Sequence, residues 1–247
     1  MGTSDIVPLY PGTSERAVAR QRAETTSRGV ALLATALLTT LVLLIGLQIR
    51  AWNGSVNADG ISYMELGAQY ARGDLSALAN GYWSPLYPFL LGIAFRIAQL
   101  PGLDLSSSAI TSELRAVLAV NVAIAVMATV LYARLLRELD RNGDDAGSGA
   151  LRVARFAAAG SLWIWWIVRF SSVTTTTPDL LLAACLATTM TELVIAAARP
   201  SKVGAVRLGI ALAVGFWTKA VFFLVMRNVG ATLRRSHVDY VYQSAGI

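Results

Sequence analysis

The chain has 247 residues, of which 55% are hydrophobic and 15% charged, with a net charge of +6; its mean hydropathy is +0.55 and its pI about 9.8. A soluble domain carries nearer 25% charged residues, roughly, and here the apolar residues are gathered into long runs. That excludes a large soluble domain and predicts one all-α domain, a polytopic transmembrane helical bundle of about five spans.

Residues 1–28 hold Pro8, Pro11, Gly12 and many polar side chains, which predicts a disordered N-terminus. Residues 29–49, between Arg28 and Arg50, form the first apolar run. It starts late and is too long for a signal peptide, so it reads as a retained anchor. Residues 86–100 are apolar but short, interrupted by Arg96 and stopped by Pro101. Leu86, Phe89, Leu90, Ile93, Ile97 and Leu100 keep helical spacing, which predicts an interfacial helix with one apolar face. Further spans are expected near 116–133, 153–171, 180–198 and 208–226, each close to the length of about 20 residues that a membrane requires.

The positive-inside rule sets the orientation. Arg16, Arg20, Arg22 and Arg28 put the N-terminus in the cytoplasm. Arg134, Arg137, Arg141, Arg152 and Arg155 join them, as do Arg199, Lys202 and Arg207, only if residues 86–100 do not cross. Residues 50–113 then form one external loop with two juxtamembrane helices, and residues 171–179 lie on the same side. Residues 140–149 read as a flexible cytoplasmic loop. The basic surplus marks membrane-flanking ends and not nucleic-acid binding. Cys185 and His237 are each alone, which excludes an intrachain disulfide, a thiolate cluster and a multi-histidine metal site. Cys185 reads as inert packing.

Several residues can carry chemistry. Asp59 precedes a helix expected at 60–72. It suits a helix N-cap, and equally a general base for an acceptor hydroxyl at the membrane surface. Tyr82, Trp83, Pro85 and Tyr87 fit an interfacial aromatic belt, as do Trp163, Trp165 and Trp166. Asp179 follows Pro178 in a helix-start pattern, and orientation brings it to the side of Asp59. Arg169 belongs to the same turn region, where a guanidinium matches phosphate geometry and an acid can hold a divalent cation. Lys219 falls about 11 residues, or about 17 Å, into the last span. An ionisable group inside a span defaults to function; the plain alternatives are snorkelling or an ion pair with Glu192, whose height in its own span matches poorly.

Asp-Gly-Ile-Ser-Tyr at 59–63, Tyr-Trp-Ser-Pro-Leu-Tyr-Pro at 82–88, Thr-Pro-Asp at 177–179 and Gly-Phe-Trp-Thr-Lys-Ala at 215–220 resemble the N-terminal half of bacterial GT-C glycosyltransferases, relatives of protein O-mannosyltransferases and of the aminoarabinose transferases of lipid A. The resemblance covers roughly residues 29–226 and rests on the order and spacing of the motifs. It implies transfer of a sugar from a polyprenyl-phosphate carrier to an acceptor on the external face of the bacterial inner membrane. It implies Asp59 as the first-loop catalytic acid and Asp179 as the second. Tyr63, Tyr82 and Trp83 fall within the same motifs and join Arg169 and Lys219 as substrate-binding candidates, the last two for the carrier phosphate. The partners implied are membrane lipid and the lipid-linked sugar, with a divalent metal at Asp179 left open. Family members run to about twice this length, so residues 227–247, polar and basic, read as an atypical tail after a truncation or frameshift near residue 226. The rival readings are a transporter or channel subunit, drawn from Lys219 and Asp179, and a non-catalytic membrane assembly protein.

Overall fold

Long apolar runs rich in Ala and Leu favour helix, and helix dominates the computed structural model, which describes residues 13–76, 82–100, 111–143 and 149–220, with 222, 224, 225 and 227–229 beyond them. Of the described residues 83% are helical and none is in a strand. The order is α1 (Thr13–Ala51), α2 (Ala58–Ala71), α3 (Leu86–Ala98), α4 (Ser112–Asn142), α5 (Gly149–Arg169), α6 (Asp179–Ala198) and α7 (Lys202–Thr218). Among the described residues four helices are long and apolar enough to cross a membrane: Glu24–Ala51 within α1, then α4, α5 and α6. The fold class is therefore an all-α helical bundle, and by these helices the chain is a membrane protein.

Three expectations change. Helix α1 begins at Thr13, so residues 13–28 are helical where composition predicted disorder. Good helix formers continue through this stretch, and Arg20 Nε donates to Glu24 Oε1 at 3.1 Å, one turn on. The fifth run is shifted and short: α7 has 17 residues and stops at Thr218 because the backbone extends at Lys219 (φ −160°, ψ 129°). Helical conformation returns at Phe222, whose ring packs over Gly215 where any side chain would collide. Lys219 is thus the cap of a helix and not a mid-span residue. The loop expected at 140–149 starts later, since α4 runs to Asn142; residues 144–148 lie outside the described residues, as do 1–12 and 230–247.

The chain divides into two compact units, residues 1–44 with 144–166 and residues 45–143 with 167–247. In the first, α1 and α5 approach each other at Gly29, where a side chain would meet Val153 at 3.7 Å; within α5 the rings of Trp163 and Trp166 stack at 5.5 Å. In the second, α4, α6 and α7 pack side by side, with α3 against α4 and α7, and α2 against α3. With 13 residues, α3 is a short juxtamembrane helix. It crosses α2 at a pair of glycines. A Cβ at Gly92 would come to 2.8 Å from Tyr70 Cβ, and one at Gly67 to 2.9 Å from Leu91 Cβ. Arg96 Nη1 donates to the Ala71 carbonyl at 2.8 Å, satisfying an orphan acceptor at the end of α2.

Towards the C-terminal end of α6, Glu192 is buried between two arginines. Its Oε1 accepts from Arg134 of α4 at 3.1 Å and from Arg207 of α7 at 2.6 Å. Lys219 is absent from this cluster, which removes the Glu192 pairing considered from sequence. The acid ties three helices, and both arginine side chains are partly exposed. Losing one member of a buried pair costs about 3–5 kcal/mol; the arginine side chains are 41% and 46% exposed, which lowers that figure. Glu192→Ala is expected to destabilise the detergent-solubilised protein by about 2 kcal/mol, read as a lower thermal midpoint, and Arg134→Gln by less, because Arg207 keeps the carboxylate paired.

Candidate functional site

At the end of unit two where α6 begins, four segments converge on one aromatic side chain, Tyr63. Helix α2 presents it from its second turn, and Tyr63 is buried. The Trp83 ring lies edge-on to it at 4.8 Å and the Tyr87 ring at 5.4 Å; Tyr82 stacks edge-on against Trp83 at 4.7 Å. Tyr82 itself is 81% exposed, so the aromatic cluster runs from core to surface. The Tyr63 hydroxyl is held protonated, its pKa pushed up to about 12, first by burial and then by the carboxylates of Asp179 and Asp59 and by Tyr82. Both carboxylates therefore act on the same hydroxyl through their charge. At neutral pH that hydroxyl is a donor.

The two carboxylates differ. Asp179 is the first residue of α6, and its Oδ1 accepts from Lys219 Nζ at 2.8 Å. The helix ends favour this pairing. An acid suits the positive N-terminus of α6 and a cation the negative C-terminus of α7. The side chains are 34% and 42% exposed, so the pair is half-open, and the lysine keeps donors beyond the one Asp179 uses. Asp59 carries no hydrogen bond or ion pair among the described residues. It is not the helix cap expected from sequence. Asn57 holds that position, with extended backbone, and Asp59 is the second residue of α2. It is exposed and unengaged, where an N-cap carboxylate would be turned onto backbone N–H groups.

What holds α3 and the loop before α6 together is Asn121, fully buried on α4. Its Oδ1 accepts from the Tyr87 hydroxyl at 2.8 Å. Its Nδ2 donates to the carbonyls of Val173 and Thr175 at 2.9 and 3.0 Å. The Tyr87 hydroxyl is pushed far up by burial, which outweighs that hydrogen bond, so it stays a donor. Gly60, next to Asp59, is buried against Thr176, to which a Cβ would approach within 2.8 Å. The start of α2 thus sits directly on the loop that Asn121 orders. Thr176 Oγ1 is buried there with no partner.

No protein-family model, curated protein or solved structure matches the chain.

Of the residues singled out from sequence, Asp59, Tyr63, Tyr82, Trp83, Asp179 and Lys219 fall in this one cluster. Arg169 does not join it by any contact among the described residues. It is exposed at the end of α5 and stands over the Phe170 ring at 5.8 Å. A protein-held divalent cation at Asp179 does not fit either. Among the described residues no three acids, cysteines or histidines come together, and the ammonium of Lys219 already takes one Asp179 oxygen. Sequence reasoning passed over Asn121, although a lone primary amide inside an apolar run is the signal that could have marked it. Leaving a buried partner unsatisfied costs about 1–3 kcal/mol. Asn121→Leu strands a tyrosine hydroxyl and two carbonyls, so it is expected to cost about 3 kcal/mol, whereas Tyr87→Phe, which leaves both carbonyls bonded, should cost about 1 kcal/mol. Thermal midpoints in detergent check the order; equal losses would remove the loop carbonyls from the account.

Proposed function

We propose that the chain is a GT-C-like membrane glycosyltransferase, or the N-terminal portion of one, which transfers a sugar from a polyprenyl-phosphate carrier to an acceptor at the external face of the bacterial inner membrane. The observation that carries the reading is the difference between the two acids: Asp59 is exposed and unpartnered among the described residues, and Asp179 is bound to a lysine. That is the division of labour a displacement at the anomeric carbon calls for. The acceptor oxygen forms the new bond to the anomeric carbon as the bond to the carrier phosphate breaks. Asp59 takes the acceptor proton. The electron pair leaves on the phosphate oxygen, whose added charge meets the free donors of Lys219 and the Tyr63 hydroxyl. Asp179 holds the lysine in place through the ion pair. Tyr82 and Trp83 offer ring faces for sugar or acceptor at the mouth.

One observation favours a different class. Helix α7 is interrupted at Lys219 and resumes at Phe222, and a broken helix with an ion pair at the break is a transporter device. The two readings separate in one experiment. The purified protein in liposomes is supplied with a polyprenyl-phosphate sugar, and release of polyprenyl phosphate is measured beside solute uptake. Asp59→Asn is expected to lower release by about 10²–10⁴-fold with unchanged membrane insertion. Lys219→Met is expected to lower it with little change in stability, since half-exposed ion pairs contribute about 0–1 kcal/mol. Unchanged release in Asp59→Asn removes Asp59 from the mechanism, and solute uptake without release would move the chain to the transporter class.

A further inference from the structure

A second feature lies on the opposite side of α4 from Asn121. Val117, Asn121, Ile124 and Ala128 make the buried stripe of α4, set by helical spacing. Arg115, Leu118 and Val122 occupy another face. With Ile49 and Trp52 from the end of α1 and the residue after it, they wall a cavity of about 650 Å³ that reaches Ala123. That volume is within the range of about 300–1,000 Å³ typical of small-molecule sites.

Its chemistry is graded along its length. Arg115 lies in the first turn of α4, and Ala123 is eight residues deeper, about 12 Å at 1.5 Å per residue. Every wall residue except Arg115 is apolar or aromatic. The indole N–H of Trp52 is already used, donating to the Ser55 carbonyl at 3.1 Å, so the ring offers only its apolar surface and edge. Arg115 forms no ion pair among the described residues and is exposed. A guanidinium without a carboxylate, at the end of an apolar cleft between two helices long enough to span a membrane, is complementary to an amphiphile whose head is an anionic phosphate. A guanidinium binds phosphate oxygens in a planar fork, and anionic lipids favour basic residues at the boundary.

We propose that this cleft between the end of α1 and the start of α4 is a binding site for an anionic membrane phospholipid, with the phosphate on Arg115 and one acyl chain along Leu118, Val122 and Ala123. It is independent of the sugar-transfer reading, because it lies on the face of α4 turned away from the one that carries Asn121. Bound there, the lipid would brace α4, the helix that positions Tyr87 and the loop before Asp179.

The test uses the full chain in phosphatidylcholine vesicles in which either phosphatidylglycerol or a matched portion of phosphatidylcholine carries brominated acyl chains. Tryptophan quenching is read, and the Trp52 part is obtained by difference from Trp52→Phe. Brominated phosphatidylglycerol is expected to associate with the Trp52 site about fivefold more strongly than brominated phosphatidylcholine, the effect of one basic residue at such a surface. Arg115→Gln should bring the ratio to about one, Arg115→Lys should keep most of it, and Arg50→Gln, outside the cleft walls, should leave it unchanged. Equal association of the two lipids in the unmodified chain overturns the proposal, as does a preference that survives Arg115→Gln. Shielding of Trp52 from both lipids would mean that protein fills the cleft, and overturns it equally.

Discussion

The arrangement around Tyr63 depends on one buried primary amide. Asn121 is the only side chain on α4 that bonds both to α3, through Tyr87, and to the loop before α6, through the carbonyls of Val173 and Thr175, among the described residues. Loop carbonyls inside an apolar bundle are costly without donors. An amide supplies two N–H groups and an acceptor from one planar head, so a single residue can fix a loop and a surface helix together. The loop carries Thr176 beneath Gly60 and leads into Asp179, while Tyr87 packs on Tyr63. Both the loop that leads into Asp179 and the helix whose Tyr87 packs on Tyr63 are thus tied to this one residue.

Electrostatics then decides what each acid can do. Asp179 and Lys219 sit where two antiparallel helix ends meet, so each charge is opposed by the other and by the end of its own helix. Glu192 occupies a second such node about 20 Å along α6, where its two arginines come from the neighbouring helices. Helix α6 therefore holds an acid-centred ion pair near each end and an uncharged stretch between. An isolated charge in hydrocarbon is expensive, and both of its acids avoid that state by pairing with cations.

How much of this was legible in the sequence follows from which forces are local. Hydropathy marked all four long helices, because length and apolar content alone decide them. The short run at 86–100 was separated from a span by its Arg96 and Pro101, and α3 indeed ends at Ala98. Motif order gathered Asp59, Tyr63 and Asp179 as candidates, and Lys219 stood out as a charge inside an apolar run. What was missed depends on contacts between distant segments. The helix end at Thr218 arises where Phe222 folds onto Gly215, and no composition signal at Lys219 announces it, so the lysine was counted as mid-span. Asn57 and not Asp59 stands at the cap position, with extended backbone and no side-chain capping bond, and two good capping residues two positions apart leave that choice open in the sequence. Asn121 was hidden by its own surroundings, since hydropathy averages over a single amide.

The correction at Lys219 sharpens the functional argument. As a mid-span charge it would need a partner at matching height, and Glu192 was the nearest acid available in sequence terms. As the cap of α7 it meets Asp179 at 2.8 Å instead, which engages the second acid and leaves the first alone. The ion pair occupies one Asp179 oxygen, while Asp59 stays exposed and without a hydrogen bond or ion pair among the described residues. In the proposed transfer Asp59 is therefore the acid left open to an acceptor. Asp179 is the one suited to steering a cation, and the chemistry proposed for the pair follows from that asymmetry and not from the number of acids present.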